Sequence, residues 1–196
     1  MVAYNSNNIG AYSPQASGGV LAGPTTATLP TNLTDVPGAA FESLGYVTED
    51  GVTEAVSRDS EKKKAWGGQI VKILSTDHEA TWSFALMETA NTAGLKAVYG
   101  EDNIVDGGEG ESVLKINADE LPERSFIFDM LDKGSKIAKR IVIPKGRVTE
   151  IGDVVYTHAD TTAFEVTIEA MEDAAGNKAY IYTASTNTEA EEEPTP

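Results

Sequence analysis

ATWSFALME, residues 80–88, alternates large apolar side chains with small or polar ones: Trp82, Phe84 and Leu86 fall on one side, Thr81, Ser83 and Ala85 on the other. A period of two is the pattern of a half-buried strand. FEVTIEA, residues 164–170, repeats it, with Phe164, Val166, Ile168 and Ala170 set against Glu165, Thr167 and Glu169. Strands with a single apolar face belong to antiparallel sheets that pack on one side only. The same reading predicts strands at Gln69–Leu74, Ser112–Ile116, Arg124–Leu131, Ile137–Ile143, Arg147–Tyr156 and Ala179–Tyr182. Pro144-Lys145-Gly146 reads as a tight turn, and Ala175-Gly176-Asn177 as the close of a hairpin. From Glu88 to Gly100 the period changes: Leu95, Val98 and Tyr99 lie three and four apart, Thr89 or Asn91 suits the start, and Gly100 suits the exit. The predicted fold class is mainly β: two packed antiparallel sheets, sandwich-like or barrel-like, with one short helix at an edge.

The chain has 196 residues, enough for one core, because a domain of ~150 residues buries roughly 70% of the surface its unfolded form exposes. It has no cysteine, which removes disulfides, thiolate metal sites and thiol nucleophiles. Fifteen basic residues stand against 31 acidic ones, a formal charge of -16. That balance disfavours tight binding to a phosphate backbone, where Lys and Arg must displace counterions. Val-Ala-Tyr-Asn after Met1 is not a basic, then apolar leader, and no run approaches the ~20 apolar residues of a membrane span. A soluble protein made in a cytoplasm, with no membrane insertion, is expected. Residues 1–35, rich in Asn, Ser, Gly, Thr and Pro, read as an extended arm and a polar loop with a first strand near Val20. Residues 185–196, with several glutamates and no large apolar side chain, read as a disordered acidic tail.

The stretch Phe41–Trp66, FESLGYVTEDGVTEAVSRDSEKKKAW, resists assignment to a core. Leu44, Tyr46 and Val47 suit a strand, Asp50-Gly51 suits a turn, Val52 and Val56 a second strand, and the seven residues Arg58–Lys64 are mostly charged. A strand pair that ends in charge has little to bury and is better suited to reaching another subunit. The charged run reads as a loop, and Trp66 beside Gly67 and Gly68 as an aromatic anchor at its root. The contact candidates are Tyr46, Val47, Glu49, Asp50, Val52, Glu54, Arg58, Asp59, Glu61, Lys62, Lys63, Lys64 and Trp66.

No catalytic constellation emerges. His78-Glu79 opens like a zinc-protease HExxH helix, but Trp82 stands where the second histidine is required, so His78 reads as a turn residue beside Asp77. His158 reads as a loop residue with no triad partner. The acidic stretch Glu101–Glu111 lacks calcium-loop spacing, since Ile104 occupies a ligand position, and reads as a solvated connector. Gly107-Gly108-Glu109-Gly110 has no following GK[ST] and is no phosphate loop. Asn32-Leu33-Thr34 matches a glycosylation acceptor only by chance if the chain is not secreted. No enzyme, cofactor or metal is expected. A virion-surface or secreted β-sandwich that binds a carbohydrate or protein through its loops is the alternative function.

LGYVTEDGV (44–52) with its charged sequel, WSFALMETANTAGLKAVYG (82–100), and the ending from RIVIPKGRVTEIGDVVY (140–156) to FEVTIEAMEDAAGNKAYIY (164–182) together resemble the major tail, or tail tube, proteins of long-tailed phages with non-contractile tails. Those infecting actinobacteria are the nearest in pattern, and the resemblance runs from Val20 to Tyr182. It implies a tail tube domain over residues 18–184, an N-terminal arm over 1–17 and a projecting loop over 48–66. It implies hexameric rings stacked into a tube, with the arm and loop bridging subunits, and partners that include the tape measure, tail tip and tail terminator proteins. The implied location is the virion tail, after assembly in the host cytoplasm. Genomic double-stranded DNA would pass through the lumen to the host without tight binding, repelled by acids among which Glu165 and Glu169 are candidates. No appended immunoglobulin-like domain is expected in the few residues after Tyr182.

Overall fold

The computed structural model describes residues 12–14, 19–108, 111–132, 137–158 and 161–184. In chain order the elements are β1 (Tyr12–Pro14), β2 (Val20–Pro24), β3 (Glu42–Ser43), β4 (Val47–Lys64), β5 (Ile70–Leu86), α1 (Thr92–Tyr99), β6 (Ile104–Gly108), β7 (Glu111–Leu114), β8 (Arg124–Asp132), β9 (Ile137–Ile151), β10 (Phe164–Ala170) and β11 (Tyr180–Thr183). The expected acidic tail at 185–196 lies outside the described residues, as does the expected arm at 1–17 apart from β1, which pairs with the end of β8.

The two main strands are where their alternation places them. Trp82, Phe84 and Leu86 are buried on β5, as are Phe164, Val166, Ile168 and Ala170 on β10, and the two strands pair antiparallel with Val166 opposite Phe84 and Ile168 opposite Trp82. The sheet order is β3-β2-β8-β9-β10-β5-β4, so β5 and β8 stand three strands apart. In a flat sheet that is ~14 Å. Yet the Phe84 ring meets the Phe128 ring of β8 edge-on at 5.6 Å between centroids. The sheet therefore folds over on itself into two facing antiparallel layers, the expected sandwich, with the core between them. A separate two-stranded ribbon, β6-β7, lies off this sheet.

The fold-over happens within β9. Pro144-Lys145-Gly146 is not the expected turn: residues 137–151 form one continuous strand. Its first half pairs with β8 on one side and β11 on the other, and its second half pairs with β10. Between Ile143, opposite Phe126, and Gly146, opposite Arg124, three residues of β9 span two of β8. That is a bulge, a place where a proline's missing N–H does no harm and where a strand can bend. Gly146 is required by space, since a Cβ there would lie 3.0 Å from Ile168 Cγ2 and 3.2 Å from Phe126 Cδ2. Ala175-Gly176-Asn177 does form a turn, closed by the bond from the Gly176 amide to the Asp173 carbonyl at 3.0 Å. It does not make a hairpin, because β10 and β11 pair with different halves of β9 and not with each other.

The helix forms within the expected span, capped by Asn91, whose side-chain oxygen accepts from the Ala93 and Gly94 amides at 3.0 and 3.2 Å. Ala97 and Val98 bury its inner face. The stretch 101–111 is more ordered than a solvated connector: a 3-10 turn at Glu101–Asn103 leads into β6. Its apolar residues fall opposite those of β7, Ile104 against Leu114 and Val105 against Val113.

Behind β8 and β9, a charged pair is buried almost completely. Arg140 donates from Nε and Nη2 to the two Asp129 carboxylate oxygens at 2.6 and 2.8 Å, and from Nη1 to the carbonyls of Asn32 and Asp35 at 2.8 and 2.7 Å. The loop after β2 is thereby pinned over the outer face of the sheet. Asn32 belongs to this loop as a structural residue, accepting from the amides of Thr34 and Asp35 and donating to the Asp35 carboxylate at 2.8 Å. Arg140→Ala would strand a buried carboxylate and release two carbonyls; chemical denaturation should show a loss of roughly 3–5 kcal/mol.

Asp35 supplies a pH dependence. The Thr31 amide, the Thr31 hydroxyl and the Asn32 amide all bond its carboxylate and hold its pKa below the usual value, with Arg140 adding to the effect. A depressed carboxyl stabilises the fold fully above its unfolded pKa of about 4 and loses that contribution as pH falls through the lower folded value. Asp35→Asn should therefore be less stable than wild type at pH 6, and its melting temperature should fall less steeply between pH 4.5 and 2.5.

Candidate assembly interface

β4 and β5 are 18 and 17 residues long, and only their inner ends touch the core. Val47 and Val52 are half-buried opposite Leu86 and Phe84. Beyond Glu54, opposite Trp82, the two strands leave the body as a paired arm. Ala55–Lys64 at ~3.3 Å per residue makes it ~33 Å long. Asp50-Gly51 is not the expected turn. Between Val47 and Val52 five residues of β4 span two of β5, so Glu49, Asp50 and Gly51 form a bulge inside one strand. The charged run Arg58–Lys64 is likewise a strand and not a loop, paired from Arg58 opposite His78 to Lys64 opposite Ile70. His78, expected in a turn, lies within β5, half-buried, and its carbonyl accepts from Lys178 Nζ where the arm leaves the body. The true turn is Ala65–Gln69, where Gly68 has φ +82°, a left-handed value that glycine adopts at little cost. Trp66 is thus at the tip, fully exposed, not at the root.

The arm carries groups that it does not satisfy itself. Val56, Ile70, Val71 and Ile73 are each more than half exposed. Asp59 lies directly opposite Asp77, and Lys63 opposite Lys72, two like-charge cross-strand pairs that oppose pairing. A two-stranded hairpin without a further layer is marginal in water. Charge is also segregated along it: Lys62, Lys63, Lys64 and Lys72 gather near the tip, Asp59, Asp77 and Glu79 nearer the root. At the tip, Lys63 Nζ bonds Glu61 Oε1 at 2.6 Å.

At the root, the bulge borders a cavity of about 330 Å³ that opens between the two layers. Glu49, Asp50, Val52 and Glu54 line it together with Tyr12, Met130 and Lys139, over Trp82 and Phe128. Of the contact residues expected from sequence, Val47, Glu49, Asp50, Val52 and Glu54 gather here, while Arg58, Asp59, Glu61, Lys62, Lys63, Lys64 and Trp66 lie out along the arm. Tyr46 is exposed just before β4, its amide bonded to Glu88 Oε1 at 3.0 Å. Tyr12, Lys139 and Trp82 were not foreseen at this site: they come from three distant parts of the chain and share no local motif.

The outer face of the β10 layer is polar. Glu165, Thr167 and Glu169 point there, with the Thr167 hydroxyl 2.9 Å from that of Ser83. Glu150 of β9, opposite Thr167, belongs to the same face and was missed because the bulge in β9 obscures its alternation. Among the described residues, no group of three or more His, Asp or Glu is placed to hold a metal ion. No helix among the described residues is long and apolar enough to cross a membrane.

Residues 5–194 match the family model described as phage tail tube protein. The chain belongs to that family. It is accordingly a structural component of the phage tail, and its family role is not that of a catalyst. No curated protein matches the sequence. Solved structures with a similar backbone include the tube-terminating cap of the anti-feeding prophage, at 9% identity and TM-score 0.44, covering 93% of this chain and 100% of that one. The sheath-tube complex of an extracellular contractile injection system (PVC) gives 8% and 0.43 with the same coverage. The virion of a native gene transfer agent gives 13% and 0.38, again over 93% and 100%. Likeness at this level adds no weight to the tail tube assignment, which rests on the family match.

In this tail tube protein the arm and the core are separable. Because Val56 and Ala80 are paired neighbours, a short Gly-Ser linker can replace residues 57–79 and leave the buried Ala80 in place. Calorimetry should still show one cooperative transition for the shortened chain; its loss would place the arm in the folding unit.

Proposed function

We propose that this chain self-assembles into stacked sixfold rings that form the tube of a long, non-contractile phage tail, of the kind found in phages of actinobacteria. The observation that carries the reading is the arm of β4 and β5. It is too long, too exposed and too poorly matched in charge across its strands to serve the subunit that bears it. Pairing with neighbouring copies would cover its apolar side chains and its open edge. The domain boundaries follow the same division: residues 18–184 form the tube domain, and 1–17 and the projecting strands make contacts between copies.

The acid-rich polar face that holds Glu165 and Glu169, with Glu150, is the candidate lumen surface. Like charge across water, screened over ~8 Å at physiological salt, keeps a passing DNA backbone from adhering. The tube then conducts the genome to the host. Assembly takes place in the host cytoplasm around a tape measure protein, from a tail tip complex, and ends at a terminator.

Negative-stain microscopy of the purified chain, alone and with a tape measure fragment, should show rings or tubes with sixfold end views. Replacing residues 57–79 by the same short linker should abolish them. A strict monomer under both conditions overturns the reading.

A further inference from the structure

The tip of the arm and the cavity at its root complement each other, yet no single chain can bring them together. Trp66 projects fully exposed from the turn at Ala65–Gln69, flanked by Lys62, Lys63 and Lys64, with Lys72 on the facing strand. The cavity at the other end of β4 is rimmed by Glu49, Asp50 and Glu54, with Lys139 held over the Tyr12 ring at its far side, and floored by Trp82 and Phe128. Its volume of about 330 Å³ is at least twice the ~150 Å³ that accepts a benzene ring. The Trp82 indole N–H is buried and has no hydrogen-bond partner. Cavity and tip are ~33 Å apart along paired strands that cannot fold back.

We propose that the Trp66 tip of one copy seats in the Trp82 cavity of a second copy, with the tip lysines against Glu49, Asp50 and Glu54. The inference rests on the tube-subunit reading and adds the two surfaces that meet. The indole ring fills the apolar floor. The lysines relieve their mutual repulsion, including that between Lys63 and Lys72, against acids that otherwise crowd one another in the bulge. Because donor and acceptor are different surfaces of the same chain, the contact is heterologous. Such contacts close into rings or propagate as filaments, according to the rotation each one imposes.

The absence of native cysteine makes the test direct. Gly67→Cys and Glu49→Cys placed in one chain should give, on mild oxidation, a ladder of covalent oligomers. An equimolar mixture of the two single variants should stop at dimers. Trp66→Ala should raise the concentration needed for assembly by about 30-fold or more, as loss of a central aromatic anchor does. Lys62→Glu with Lys63→Glu should block assembly and be rescued by Glu49→Lys with Glu54→Lys on the same chain. Rings or tubes that form normally with Trp66→Ala and give no cross-link overturn this contact while leaving the tube reading intact. A wild-type chain that never assembles overturns both.

Discussion

One strand that belongs to two layers is the constraint on which the rest depends. β9 pairs with β8 and β11 along its first half and with β10 along its second, and the bulge at Pro144–Gly146 turns one half across the other. Without that bend Phe84 and Phe128 would be separated by the width of two intervening strands, and each layer would expose its apolar face. The bend converts a single antiparallel sheet into a closed core. Proline supplies tolerance of a missing backbone donor, and glycine supplies the room for Ile168 and Phe126 to close above it.

The same core makes the arm possible. Trp82, Phe84 and Leu86 hold the inner end of β5 so firmly that its outer end can run into solvent paired with β4. What leaves the body is left with exposed valine and isoleucine, like charges face to face, and an indole at the very tip. These are faults in a monomer. Under the proposed assembly, another copy would complete them. The bulge of Glu49–Gly51 is the corresponding feature at the root, splaying β4 and opening the cavity beside Trp82.

The Arg140–Asp129 pair stabilises the body in a different way. A guanidinium with its donors spread over one carboxylate and two carbonyls ties the long connection after β2 to the back of the sheet. Buried charge of this kind specifies one arrangement of the loop more than it adds net stability. Neither Arg140 nor Asp129 announces itself in sequence, because each reads as an ordinary polar position on an alternating strand.

Alternation alone determined that this protein is a mainly β chain with antiparallel layers, since period two in residues 80–88 and 164–170 leaves one apolar face per strand and no other way to bury it. The helix, its Asn91 cap and its Gly100 exit were equally legible, being set by contacts within a few residues. The arm was visible as a stretch with nothing to bury, but not its form: the turn was placed at Asp50-Gly51 and the charged run was taken for a loop. Pairing along β5 decided otherwise, because backbone hydrogen bonds extend a ladder through charged residues as readily as through apolar ones once the register is anchored in a core. Tertiary structure likewise decided that Pro144–Gly146 bends a strand and does not end one. It also brought Tyr12, Trp82 and Lys139 to the same cavity as Glu49 and Glu54, a meeting of residues far apart in the chain that only the folded sheet can arrange.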